Sequence, residues 1–257
     1  MIPKTIHYCW FGRKSKPKLA KKCIKSWKKH CKDYKIIEWN EDNFDISSAP
    51  IYVRQAYEAK KWAFVTDYVR LFVMVKYGGI YMDTDVEVIK PLDYFLKHKA
   101  FSGFENETQI QTAIMACEQN FPLFKIFLDY YYDVSFFNQD GTINYTTNVS
   151  IITDMCLSLG LKQDNSLQVI DGFVLYPRDY FCPIEYYTNI LNKTKNTATI
   201  HHFSGSWKSK EDSIKRRNAI RDIRKINLLH TLTHIPNKIA KYILGEHFYS
   251  KLKSLFK

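Results

Sequence analysis

No stretch of this 257-residue chain is apolar for long enough to span a bilayer. The best run, Ala63 to Met82, is interrupted by Asp67, Arg70 and Lys76. The opening Met1-Ile-Pro-Lys4 lacks the charged-then-apolar layout of a secretory signal. Six cysteines, at positions 9, 23, 31, 117, 156 and 182, form neither a C-x-x-C pair nor a metal-type cluster, so reduced thiols in a cytosolic protein are expected. Internal repeats, low-complexity linkers and recognisable nucleic-acid-binding motifs are missing as well. What is present is material for a core: 46% of residues are apolar and 16% aromatic, enough for one large domain or one domain plus an appendage.

Charge is abundant but unevenly placed. Residues 1–35 hold 12 lysines and arginines against one acid, Asp33, and residues 208–257 hold 13 against 4. With a net charge of +12 overall, the middle of the chain must be acidic. An acidic middle between basic ends fits a cation-holding site flanked by surfaces that attract phosphate, and no nucleic-acid partner is expected.

Ile2 to Trp10 reads as a strand, Pro17 to His30 as a helix, and Tyr34 to Trp39 as a second strand, the opening of an α/β sheet. The helix keeps Leu19, Cys23, Ile24 and Trp27 on one stripe, and its lysines are expected to form a solvated face. Residues 51–77 read as a single long helix, on which Asp67 and Arg70 are three apart and share a face. Ala100 to Glu105 follows as a strand, 109–117 fits a strand running into a turn better than a helix, and Leu123 to Tyr132 reads as a helix. The remainder is a helix at Asn148 to Leu159, a strand at Val169 to Tyr176 and a last strand at Thr199 to Phe203. From Ser213 onward, arginines and lysines alternate with isoleucines and leucines at helical spacing. That pattern suits a basic amphipathic helix on an anionic membrane face.

The stretch Lys76 to Lys90 (KYGGIYMDTDVEVIK) carries the chemistry. Gly78 and Gly79 stop the long helix, and Ile80-Tyr81-Met82 and Val86-Glu87-Val88 read as short strands. In an extended backbone Asp83 and Asp85 project to one side, where two carboxylates repel unless a cation or ligand lies between them. A hard divalent ion holding a diphosphate would use that arrangement. The alternative reading is an acidic turn between strands.

Three blocks, IPKTIHYCWFG, WAFVTDYVRLFVMVKYGGIYMDTDVEV and IHHFSGSW, together resemble glycosyltransferase family 32 over about residues 1–207. That family has a DXD sugar-binding region and includes bacterial capsule glycosyltransferases and yeast mannosyltransferases; clostridial glucosylating toxins look like distant relatives. The resemblance implies an α/β fold of the GT-A type, with a Rossmann-like nucleotide-sugar sheet, in a domain over residues 1–212; it does not cover the tail, whose basic amphipathic pattern reads as a helical extension at 213–257. It implies a retaining hexosyltransferase with Mn²⁺ or Mg²⁺, a nucleotide-sugar donor, UDP-linked by preference, and a glycan or lipid-linked glycan acceptor. By position, Trp10 resembles the residue that stacks on the base, and Asp67 and Arg70 the pair that holds the donor sugar. Asp83 resembles the member of the motif that reaches ribose and sugar, and Asp85 the direct metal ligand. His202 falls where a further metal contact sits, with His201 able to exchange roles. Trp207 lies near a phosphate-touching tryptophan. Glu105, Asn106, Gln111 and Asn148 are polar candidates for the acceptor side.

The reading is therefore a cytoplasmic enzyme held peripherally on the inner face of the plasma membrane by its tail. A phosphohydrolase of nucleotide sugars, a non-catalytic nucleotide- or carbohydrate-binding module and a toxin-like effector are the alternatives. The residues alone do not name the sugar, the acceptor or the linkage.

Overall fold

The computed structural model describes residues 1–205 and 214–223. The chain divides into two compact units, residues 1–185 with 190–207, and residues 186–189 with 208–257. In the second unit, 214–223 is helical, and the Arg216 guanidinium lies 4.4 Å from the centre of the Tyr186 ring. The rest of the basic tail expected over 213–257 lies outside the described residues.

The first unit is built on a seven-stranded sheet. Its elements in chain order are β1 (Thr5–Cys9), α1 (Lys18–His30), β2 (Lys35–Trp39), α2 (Ile51–Glu58), α3 (Trp62–Tyr77), β3 (Gly79–Met82) and β4 (Val86–Val88). They continue with β5 (Ala100–Gly103), β6 (Ile114–Cys117), α4 (Pro122–Asp129), α5 (Asn148–Ser158), β7 (Gln168–Ile170), β8 (Phe173–Tyr176) and β9 (Thr199–His201). The large sheet runs β2-β1-β3-β6-β5-β8-β7, and β4 and β9 form a separate antiparallel pair. Strands β2, β1 and β3 are parallel, whereas β6 enters antiparallel beside β3. A parallel half with the two aspartates at the carboxyl end of β3 is the α/β, GT-A arrangement that the resemblance implies. Open α/β sheets bind ligands at that edge.

Two buried clusters flank the sheet. One gathers Val53, Val65, Val69, Leu71, Phe124 and Phe127 from α2, α3 and α4. The other gathers Cys23 and Trp27 of α1 with Ile6, Ile80, Val86 and Phe101. Trp27 is fully buried and its indole N–H donates to the Val86 carbonyl at 2.7 Å, so α1 is fixed to the strand that follows the aspartates. All six cysteines are free and buried. Among the described residues no helix is long and apolar enough to cross a membrane.

The elements depart from the expected ones at three places. The single helix expected over 51–77 is two, because Lys60 takes a positive φ of 56° and breaks the path between α2 and α3. The strand expected over 169–176 is a hairpin, turned at Asp171 and Gly172, both with positive φ, so that β7 and β8 pair antiparallel. Only the last four residues of 109–117 form a regular strand.

The double glycine meets its expectation. Gly78 and Gly79 have φ of 64° and 113°, a region other residues enter at a cost. A Cβ on Gly79 would lie 2.7 Å from the Thr5 carbonyl oxygen, against the backbone of β1. We expect Gly79→Ala to destabilise the chain by about 1–3 kcal/mol, from strain plus the forced shift of β1. A urea midpoint equal to that of the unsubstituted chain would show that β1 and β3 are not packed this closely.

Candidate active site

Helix α3 carries Asp67 and Arg70 one turn apart on the face turned to the end of β3. Arg70 is buried, so its charge needs partners. Its Nη1 donates to the Thr112 carbonyl at 2.5 Å, and its Nη2 reaches Asp67 at 3.0 Å and Asp83 at 3.5 Å. The guanidinium also lies 4.7 Å from the centre of the Tyr81 ring, and the Tyr81 hydroxyl donates to Asp83 at 2.8 Å. The Nε of Arg70 is buried without a protein acceptor. Asp67, Arg70 and Asp83 thus form one cluster.

Asp83 and Asp85 are not in an extended strand. The Val86 N–H donates to the Asp83 carbonyl at 3.0 Å, so Asp83-Thr84-Asp85 is a turn between β3 and β4, which replaces the strand-side argument for their proximity. Asp85 accepts from the Ser204 backbone N–H at 2.8 Å, and its other oxygen lies 3.5 Å from His201 Nε2. One ligand atom from each of Asp83, Asp85 and His201 falls within 4.8 Å of the others, so the trio could close on one ion. Two carboxylate oxygens and one imidazole nitrogen suit Mg²⁺ or Mn²⁺.

His202, expected as the ligand, points elsewhere. Neighbouring residues on a strand face opposite sides. His201 at the end of β9 is buried beside Asp85, whereas the His202 ring meets Glu87 at 2.9 Å on the outer side of β4, where Lys22 of α1 also pairs with Glu87 at 2.8 Å. The geometry therefore puts His201 in the place expected of His202. Trp10 follows β1 on the same carboxyl edge, half-buried, with its indole N–H donating to the Lys14 carbonyl. Trp207 lies outside the described residues.

Of the polar candidates, Asn106 is occupied in its own loop, its side chain accepting from the N–H groups of Thr108 and Gln109. Gln111 is fully buried with neither amide atom partnered. Asn148 donates to the Asp67 carbonyl at 3.2 Å, and its own carbonyl oxygen is buried and unpartnered. Buried amides without partners are rare and suit a ligand rather than a core. The Glu105 N–H donates to the Gln109 carbonyl at 2.7 Å. Sequence reasoning missed Tyr81 and Ser204. The first was visible as the aromatic residue two before Asp83, whereas the second acts through its backbone and had no side-chain signal.

The titration pattern follows from burial and neighbours. Burial raises the Asp67 carboxyl, Arg70 opposes this and Asp83 adds to it, leaving it pushed up to about 6. Asp83 is raised for the same first reason, less the pull of Arg70 and plus the repulsion of Asp85. Burial works against the ionised Asp85 too, but His201 and the Ser204 N–H outweigh it and hold the group below the usual carboxylate range. His201 is pulled down by burial and raised more strongly by Asp85, so it ends well above its ordinary value.

Comparison with known proteins agrees with the geometry. Residues 17–102 match the model of the glycosyltransferase sugar-binding region containing the DXD motif. Inositol phosphoceramide mannosyltransferase 3 of Schizosaccharomyces pombe is 29% identical over 128 residues, 47% of this chain and 35% of that protein. Residues 17–102 are thus similar to the sugar-binding region of DXD-containing glycosyltransferases, and the likeness to the mannosyltransferase supports a protein of the family 32 type. It spans only about a third of the mannosyltransferase's length. Among solved structures, the PaToxG glycosyltransferase overlays with a TM-score of 0.46 at 18% identity, covering 61% of this chain and 69% of its own. The galactosyltransferase LgtC, solved with donor and acceptor sugar analogs, overlays at 0.44 and 14%, covering 91% and 98%. Overlays this loose carry no argument about chemistry.

The folded chain binds the Asp67 proton more tightly than the unfolded chain does. The stability this confers is fully present below about 4 and lost as pH rises through about 6. In chelator, the thermal midpoint should therefore fall as pH climbs across that window, and Asp67→Asn should flatten the fall. A variant whose midpoint tracks pH as steeply as the unsubstituted chain would remove Asp67 as the cause.

Proposed function

We propose that this protein is a retaining, metal-dependent hexosyltransferase that takes its sugar from a UDP-linked donor. The observation that carries the reading is the convergence of Asp83, Asp85 and His201 beside a buried Asp67–Arg70 pair. Three carboxylates there face one guanidinium, so once His201 gives up its proton the cluster is short of two positive charges. A divalent cation supplies that number, and a nitrogen among its ligands tilts the choice towards Mn²⁺.

Asp83, Asp85 and His201 would hold the ion. When bound, it supplies Lewis-acid relief of the charge that gathers on a departing diphosphate. The chain's own groups do the rest. Arg70, anchored through Thr112 and Asp67, presents its unpartnered Nε to a donor hydroxyl. The free amide atoms of Gln111 and the carbonyl oxygen of Asn148 offer further hydrogen bonds to a sugar. Trp10 stacks on the base. No covalent nucleophile stands out among these residues, which favours attack on the face that the leaving group occupies. The bond from the anomeric carbon to the phosphate oxygen breaks, the acceptor oxygen forms the new bond, and the acceptor proton passes to the departing phosphate.

The acceptor we propose is a lipid-linked or growing surface glycan at the cytoplasmic leaflet of the plasma membrane, with the basic tail from about residue 213 helping to hold the enzyme there. The domain division we propose follows the same line, a catalytic part to residue 212 and an extension beyond it. Hydrolysis of the donor is the competing use of the same carboxylates.

A panel of UDP- and GDP-sugars with Mn²⁺ tests the reading. One UDP-sugar should raise the thermal midpoint by several degrees only when the metal is present. Asp85→Ala and His201→Ala should abolish that rise and lower turnover by about 100-fold or more, whereas His202→Ala should retain both. Metal-independent nucleotide binding that tolerates Asp85→Ala would leave a binding module, and free sugar released at full rate without an acceptor would leave a hydrolase.

A further inference from the structure

We infer that the lysine face of α1 is a docking surface for an anionic lipid bilayer. At 100° per residue, Lys18, Lys21, Lys22, Lys25, Lys28 and Lys29 occupy one arc of about 120°. Ala20, Cys23 and Trp27 occupy the opposite side and are buried. All six lysines are exposed, and so is Lys32 just beyond the helix. No acid occurs between Lys14 and Lys32.

The fold could have neutralised this face from other elements and does so at one position, where Glu87 pairs with Lys22. Among the described residues, no carboxylate is within ion-pair distance of Lys18, Lys21, Lys25, Lys28 or Lys29. Acids are supplied to neighbouring lysines instead: Lys16 meets Glu38 at 2.7 Å, and Lys4 pairs with both Asp33 and Asp93. The unpaired set carries a cost. Like charges three and four residues apart repel, and Lys18 and Lys21 sit in the first turn, where the helix dipole disfavours cations. An anionic partner turns both costs into attraction.

The form of the face selects the partner. It is convex and contains no aromatic side chain on which a base could stack. It contains no apolar side chain that would enter a protein groove. A flat sheet of diffuse negative charge meets all the lysines at once. The opposite side of α1 is fixed to β4, through Trp27 on the Val86 carbonyl and Ser26 accepting from the Val88 N–H at 2.9 Å. A bilayer on the lysine face would therefore lie about one helix diameter, roughly 10 Å, from the strand that follows Asp85. The purpose of that placement rests on the lipid-linked acceptor proposed above; the surface itself does not.

The test is co-sedimentation of the full chain with vesicles of phosphatidylcholine alone or mixed with phosphatidylglycerol. Binding should need the anionic lipid and weaken steeply with salt. The triple variant Lys21→Gln, Lys25→Gln, Lys28→Gln, with the tail intact, should partition about a hundredfold less, each basic group near such a surface being worth about a factor of five. Its thermal midpoint should be equal or slightly higher, because that repulsion is relieved, and its metal-dependent UDP response unchanged, since these side chains touch neither core nor site. Partitioning equal to that of the unsubstituted chain would overturn the inference. So would tighter, α1-dependent binding to duplex DNA or an acidic polysaccharide than to the vesicles. Lysine-dependent vesicle binding without sugar transfer would uphold the surface and reject only the proposed acceptor.

Discussion

The site depends on a shortage of positive charge. Asp67, Asp83 and Asp85 are drawn together at the end of β3, with Arg70 the one permanently charged base among them. Taking carboxylates out of water is costly unless each finds a counter-charge. The chain meets part of that demand with Arg70, whose Nη2 reaches both Asp67 and Asp83, and part with a protonated His201 against Asp85. The unmet part is recorded in Asp67 and Asp83, both of which hold their protons above the usual carboxylate range. A core salt bridge would balance. This cluster is poised to accept a cation, and its proton on His201 is the one a metal would displace.

The same charges explain why the backbone around them is so constrained. Gly78 and Gly79 let the chain leave α3 and enter β3 with no side chain between it and the backbone of β1. That brings Asp67 and Arg70 of α3 and Asp83 past the end of β3 to the same edge of the sheet. A bulkier link would set α3 further off, and Arg70 could not reach Asp83 while keeping Thr112.

Much of this was legible in the amino-acid pattern, and the failures share a cause. The glycine pair, the short apolar run that forms β3, and the three-residue spacing of Asp67 and Arg70 are local signals that survive folding. The break at Lys60 was hidden because a lysine taking positive φ has no compositional mark, unlike the Asp171-Gly172 turn, whose glycine was readable in principle. His201 and His202 are equivalent in sequence. Only the pairing of β9 with β4, which sets Val86 opposite His201, decides that one ring turns in to Asp85 and the other out to Glu87. The orphaned amides of Gln111 and Asn148 belong to the same class: burial without a partner is a property of tertiary packing.

That pairing also divides the site between two sheets. Arg70 and Asp83 belong to the framework of the large sheet, whereas Asp85 leads into β4 and His201 ends β9. Within the small sheet, the His202 N–H donates to the Asp85 carbonyl at 3.0 Å and the Ser204 N–H to its carboxylate, so His201 and Asp85 move as one piece. A cation bridging Asp83 to that piece would tie the two sheets at the point where no strand pairing joins them. The chain's own charge deficit would be the driving term for that tie.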